Sequence, residues 1–254
     1  MIGEKNKEIF LMTCWPRSGG TLLNKILVND PNLIVLSELN IKYPSFDDIR
    51  HTIRWQLDNW YGLKCPENQS DQEILSSLNK TDNRTILIRG FNFIDFVSSK
   101  FNSNLPNKIN NNFEILSETF KIKEFSQVRR SKDIYVSMMT SRGLTDLGFE
   151  GYDLYINDLI ARDIKVFTYE DLCKNPETFM EKLYNFLGIN FSQKYLEDLN
   201  NSNVLGDISP DNNSRAYNSN KVQYLNEKKY EEKIDEFLLD IFKRIDNKIY
   251  KNDN

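Results

Sequence analysis

Histidine is nearly absent from this chain: His51 is the only one in 254 residues, and just three cysteines, Cys14, Cys65 and Cys173, accompany it. Metal centres built from His and Cys need ligands clustered at short spacings, and these four are scattered, so no metal is expected. Three separated cysteines make no disulfide framework and fit reduced thiols. No apolar run approaches the ~20 residues of a membrane-spanning helix, and Met1 to Lys7 is polar, so no membrane partner is expected and the cytoplasm is the expected setting. Charge of one sign is lacking too: 33 Lys and Arg stand against 37 Asp and Glu, a net of −4. Without an overall basic surface, nucleic acid is excluded as the main partner, while a local basic pocket is still allowed. Gly-Lys-Ser and Gly-Lys-Thr occur nowhere, which removes the Walker A phosphate loop.

What is present is a strand, a loop and a helix near the start. The apolar run Ile9, Phe10, Leu11, Met12 breaks at Trp15-Pro16. The loop Arg17-Ser18-Gly19-Gly20-Thr21 follows, then a helical pattern at Leu22, Leu23, Ile26 and Leu27. Glycines let backbone N–H groups approach an oxyanion, and the helix N-terminus behind them adds partial positive charge. Arg17 adds a full charge, and Ser18 and Thr21 add hydroxyl donors. The stretch suits a phosphate or sulfate group; an ordinary strand-to-helix turn with a solvated arginine is the plainer alternative.

Further along, Leu33 to Leu36 reads as a second strand ending in Ser37-Glu38, and Arg84 to Arg89 as a third. Ligands in open α/β sheets bind at the carboxyl ends of strands, so Glu38 and Arg89 stand where chemistry is expected. A helix over Asp47 to Tyr61 places Ile49, Ile53, Leu57 and Trp60 on one face and His51 on the other, where it is solvated or serves a substrate. Trp55, Trp60 and Tyr61 either line an acceptor pocket or pack in the core. The asparagine-rich tract 101–112 reads as a mobile loop. Glu124 to Val128 is a fourth strand, followed by a helix carrying Ile134, Met138 and Tyr135. A helix over Tyr152 to Arg162 and a fifth strand over Ile164 to Thr168 come next. Asn175-Pro176 opens a helix closed by Gly188. Ser192 to Asn200 makes a short helix, and a C-terminal helix covers about 222–250. Strands alternating with helices predict an α/β fold, a central parallel sheet of about five strands covered on both faces. With no repeat and no visible boundary, one domain over 1–254 is expected.

Three separated stretches coincide with one family. The chain resembles the sulfotransferases that use 3′-phosphoadenosine-5′-phosphosulfate (PAPS), within the P-loop-like α/β folds. Trp15 to Thr21 looks like their 5′-phosphosulfate loop, commonly P-[KR]-S-G-T-T. Arg129 to Ser137 looks like their 3′-phosphate element, an arginine ending a strand with a serine eight residues on. Tyr169-Glu170-Asp171-Leu172, with Pro176 and Phe186-Leu187-Gly188 behind it, looks like their Y-E-D-L…P…F-L-G segment, whose tyrosine sits near the adenine. Gly20 departs from the usual first threonine. The Lys-Thr-His base segment of the cytosolic animal enzymes is absent, with Arg89-Gly90-Phe91 in its place, and so is their C-terminal R-K-G segment. Pro31 to Glu38 is closer to the bacterial and protein-tyrosine branches, whose base is a glutamate ending the second strand.

The resemblance implies sulfuryl transfer from PAPS to a hydroxyl or amine of a small-molecule acceptor, a natural product among the options, without metal. Glu38 is then the base and Arg17 the stabiliser of developing charge. Ser18, Gly19, Gly20 and Thr21 hold the 5′-phosphate, Arg129 and Ser137 the 3′-phosphate, and Tyr169 the adenine. Adenosine 3′,5′-bisphosphate is the product. Arg89, His51 and Trp55 are acceptor-side candidates, and Arg215 or Lys221 could close over the nucleotide. An ATP-dependent small-molecule kinase on a similar sheet and a non-catalytic nucleotide-binding module remain alternatives. Acceptor identity and oligomeric state are not encoded in any motif.

Overall fold

Five parallel strands make the frame. In this computed structural model, which describes residues 8–39, 49–90, 96, 111–139, 148–196, 199, 234 and 236–250, they are β1 (Ile9–Cys14), β2 (Leu33–Leu39), β3 (Thr85–Gly90), β4 (Ile122–Val128) and β5 (Lys165–Thr168). Their order across the sheet is β2-β3-β1-β4-β5. Alternation explains why β1 reads as an unbroken apolar run: successive side chains point to opposite faces, and both faces are covered. Phe10, Met12 and Cys14 join one core with Phe125 and Phe167, while Ile9 and Leu11 join another with Ile34, Leu36, Ile86 and Ile88.

The first core is roofed by α1 (Gly20–Leu27), α7 (Tyr169–Lys174) and α8 (Pro176–Leu187). The second is closed by α2 (Ile53–Tyr61), α3 (Asp71–Thr81) and α4 (Asn111–Ser117). A third cluster, around Trp15 and Val128, is closed by α5 (Ser131–Met139), α6 (Gly148–Ala161) and α9 (Glu236–Ile249). Fully burying a leucine such as Leu23 or Leu27 contributes about 1.5–3 kcal/mol, so this layered packing dominates the fold.

β2 is an edge strand, and α2 covers its open hydrogen-bonding side. Val35 donates its N–H to the Tyr61 hydroxyl at 2.7 Å, and that hydroxyl donates to the Val35 carbonyl at 3.0 Å. Burial pushes the Tyr61 phenol up to about 12, so it stays a donor. Gln56 repeats the device at Ser37, accepting from its N–H and donating to its carbonyl, both at 2.7 Å. Two side chains thereby satisfy backbone groups that would otherwise be orphaned.

The α/β class, the parallel five-stranded sheet and all five strands agree with expectation. The helix expected from Asp47 is broken: Ile49–His51 is a short 3-10 turn, Thr52 caps α2 by accepting from the Trp55 N–H, and Ile49 is 65% exposed. A single helical wheel therefore misplaced Ile49 and His51. α3 was not anticipated, although Ser70 and Glu73 form a reciprocal capping box at its start. Of the asparagine-rich tract, 101–110 lies outside the described residues and Asn111 begins α4. The C-terminal helix is described from Glu236, inside the expected span. Among the described residues no helix is long and apolar enough to cross a membrane.

Candidate active site

The carboxyl ends of β1, β4 and β5 meet at the Trp15–Thr21 loop. Arg17 at φ 69° and Gly19 at φ 92° bend the chain there, and the Ser18 N–H closes a turn on the Trp15 carbonyl at 3.1 Å. A positive φ is costly for arginine and costless for glycine. Gly19 occupies the N-cap of α1, with no side-chain cap and no acid in the first turn. The first turn thus lacks both a side-chain cap and a carboxylate of its own, the arrangement an anion fits.

Three side chains lock onto this loop. The Arg17 Nε donates to Ser137 Oγ at 2.9 Å, and Arg129 Nη1 donates to the Arg17 carbonyl at 3.3 Å. The Arg129 guanidinium lies 4.7 Å from the centre of the Tyr169 ring. That ring rests on Gly19 so closely that a Cβ there would lie 2.3 Å from its Cδ2. Burial raises the Tyr169 phenol well above its ordinary value, so it remains neutral. Arg17, Gly19, Arg129, Ser137 and Tyr169, drawn from three sequence segments, form one cluster, with Ser18 fully buried and Thr21 half-buried in the first turn of α1.

Gly20 has a steric cause. A Cβ at this position would meet Cys14 Sγ at 2.6 Å and Arg89 Nε at 3.3 Å. The thiol at the end of β1 fills the space that a threonine side chain would need. Cys14 is buried, and that burial pushes its thiol up, so it packs as a neutral group beside Arg89. The loop motif alone concealed this because the compensating atom sits in the preceding strand.

Arg89 connects the loop to the other half of the crevice. Its Nη2 donates to Glu38 Oε1 at 2.8 Å, in an ion pair whose side chains are 9% and 11% exposed. Glu38 sits where the β2–β3 register shifts between Leu36 and Leu39, at φ 53°, a strained backbone for this residue. Strain of this kind persists only where neighbours enforce it. Here Gln56 pins Ser37 immediately before, and His51 Nδ1 donates to the Glu38 carbonyl at 3.0 Å. His51 therefore supports Glu38's backbone; it does not project away from the strand as the helical wheel placed it. Trp55 packs edge-on against Trp60, at 5.9 Å between ring centres. Arg215 and Lys221 lie outside the described residues.

Sequence reasoning missed the supports: Cys14, Gln56, Tyr61, and Asn24, whose Nδ2 donates to Ser37 Oγ at 2.9 Å. None carries a local mark: Gln56 stands among Arg54, Asp58 and Asn59, and Asn24 beside Lys25. An open cleft of about 710 Å³ along β5, lined by Lys165, Phe167, Lys182 and Phe186 among others, contains none of the expected site residues. No group of three His, Cys, Asp or Glu side chains among the described residues is placed to hold a metal.

No family model matches the chain, and no curated protein matches it in sequence. Solved structures do. The sulfotransferase domain from the curacin biosynthetic pathway superposes with a TM-score of 0.59 at 16% identity, over 94% of this chain and 91% of that one. The sulfotransferase domain from the Synechococcus PCC 7002 olefin synthase gives 0.54 at 17% identity, over 75% and 76%. The likeness establishes the architecture: this chain is a single α/β domain with the fold of those sulfotransferase domains.

Proposed function

We propose that this protein is a PAPS-dependent sulfotransferase acting on a hydroxyl or amine of a small-molecule acceptor. The observation that carries the reading is the convergence of Arg17, Arg129, Ser137 and Tyr169 on an uncapped helix N-terminus, with Glu38 held beside it through Arg89. PAPS supplies the sulfuryl group and departs as adenosine 3′,5′-bisphosphate.

The chain's own residues divide the work. Loop amides and the hydroxyls of Ser18 and Thr21 bind the 5′-phosphate, with Arg17 supplying positive charge where negative charge grows on the leaving oxygen. Arg129 and Ser137 bind the 3′-phosphate through charge-assisted hydrogen bonds, the contact that separates PAPS from ATP. Tyr169, neutral and wedged between Gly19 and Arg129, offers an aromatic surface for the base. Glu38 takes the acceptor's proton, and Arg89 fixes its carboxylate in orientation. The guanidinium groups supply the charge that magnesium supplies in phosphoryl transfer.

Calorimetry tests the nucleotide assignment. Adenosine 3′,5′-bisphosphate is expected to bind without metal at least about tenfold more tightly than ATP or adenosine 5′-phosphate. Equal affinities would remove PAPS as the donor. An acceptor screen with labelled PAPS and mass-spectrometric detection then identifies the acceptor.

A further inference from the structure

The strand-to-helix turn carrying Arg129 is held at three consecutive residues by three different elements. The Arg129 carbonyl accepts from the Tyr152 hydroxyl of α6 at 2.8 Å. The Arg130 N–H donates to Glu170 Oε1 of α7 at 3.0 Å. The Ser131 N–H and Oγ both donate to Asp246 Oδ1 of α9, at 2.9 and 2.6 Å. Tyr250, just past α9, donates its hydroxyl to Glu170 Oε2 at 2.7 Å, and the Arg130 guanidinium lies 5.8 Å from its ring centre. One end of the C-terminal segment thereby touches two of the three holds.

Helix α5 needs this support. It is nine residues long, and the residue before it is Arg130, whose side chain cannot accept a hydrogen bond from the first-turn N–H groups. The cap is instead a carboxylate 115 residues downstream. α9 is itself anchored independently: Phe242 and Ile245 are buried, and Lys248 bridges to Asp153 at 2.6 Å and Asn157 at 2.8 Å on α6. It also meets α5 where Phe242 packs against Tyr135, at 5.4 Å between ring centres.

We infer that α9 positions the 3′-phosphate contact, with Asp246 as the positioning residue that holds the β4–α5 turn so that Arg129 and Ser137 face one ligand group. This inference rests on the nucleotide reading above. Asp246 acts through Ser131, away from the proposed ligand groups, so its removal should weaken recognition of the 3′-phosphate more than that of the 5′-phosphate.

The test compares adenosine 3′,5′-bisphosphate with adenosine 5′-phosphate by calorimetry on the full chain. Asp246→Ala, which removes the cap, is expected to lower the affinity ratio of the two by about tenfold. Asp246→Asn keeps an accepting oxygen and drops the charge, and is expected to hold the ratio at or above that of the wild type. Loss of charge and loss of position thus move the ratio in opposite directions. Tyr250→Phe, a gentler change in case Asp246→Ala does not fold, should lower the ratio by about threefold. If affinity for both nucleotides falls equally, or neither changes, in Asp246→Ala and Tyr250→Phe, α9 does not position the contact. If the wild type itself shows no preference for the bisphosphate, the nucleotide reading falls and takes this inference with it.

Discussion

The two halves of the crevice are built on different principles. On the side proposed to hold the nucleotide, Arg17, Arg129, Ser137 and Tyr169 hold one another through hydrogen bonds and ring contact, and α6, α7 and α9 hold the turn behind them. On the side proposed to meet the acceptor, one ion pair between Glu38 and Arg89 spans β2 and β3, over a strained backbone that Gln56 and His51 enforce. A mesh distributes the effect of losing any one member, while a single pair concentrates it. Single substitutions should therefore lower nucleotide binding by degrees and turnover abruptly.

The sharpest break is Glu38→Gln. Glutamine keeps an oxygen for Arg89 but cannot take a proton, so turnover is expected to fall about a hundredfold or more while bisphosphate affinity stays within about twofold. Steady-state rates alongside calorimetry read both quantities. Undiminished turnover would move the base to another group, with His51, hydrogen-bonded to the Glu38 carbonyl, and Asp95, outside the described residues, as the candidates.

Cys14 and Gly20 lie at the seam between the halves, because Cys14 interacts with Arg89 and a Cβ on Gly20 would lie 3.3 Å from the Arg89 Nε. Gly20→Thr introduces the letter usual in the sulfotransferases whose loop this one resembles, yet its Cβ would press on Cys14 Sγ, and overpacking of this kind costs about 1–3 kcal/mol. In a Cys14→Ala background most of that penalty should disappear, a coupling that denaturant unfolding of the four proteins in the cycle measures. An equal penalty in both backgrounds would show that the thiol is not what excludes a side chain at position 20.

The same contrast explains how much was legible beforehand. The strands and the nucleotide-side residues could be read because each lies in a local pattern: apolar runs between turns, an Arg-Ser-Gly-Gly loop before a helix, and an arginine eight residues before a serine. Local patterns survive without knowledge of the fold. The supports are long-range and carry no such mark. Asp246 caps a helix 115 residues away and Tyr61 serves the backbone of Val35, whereas Arg89 and Glu38 could be brought to one crevice because each ends a strand. His51 was misplaced for a related reason: Thr52 interrupts the periodicity with a cap, and a wheel drawn through a cap has no physical meaning.

The smallest effect should come from pH, and it separates the halves again because it arises in the supports of the nucleotide side. Burial raises the carboxyls of Glu170 and Asp246 above their ordinary range, with hydrogen bonds from Arg130 and Tyr250 opposing it at Glu170 and those from Ser131 opposing it at Asp246. A raised acid binds its proton more readily folded than unfolded. Its stabilising contribution is therefore complete below the unfolded pKa and is lost as pH climbs through the raised folded value. Glu170→Gln removes one of these titrations yet leaves an oxygen for the Arg130 N–H and an amide that can donate to the Tyr250 oxygen. Between about pH 4 and pH 7 the melting temperature of the wild type should fall relative to that of Glu170→Gln. Parallel curves would mean that Glu170 ionises alike in the folded and unfolded chain, and that the α7–α9 junction stores no cost for its charge.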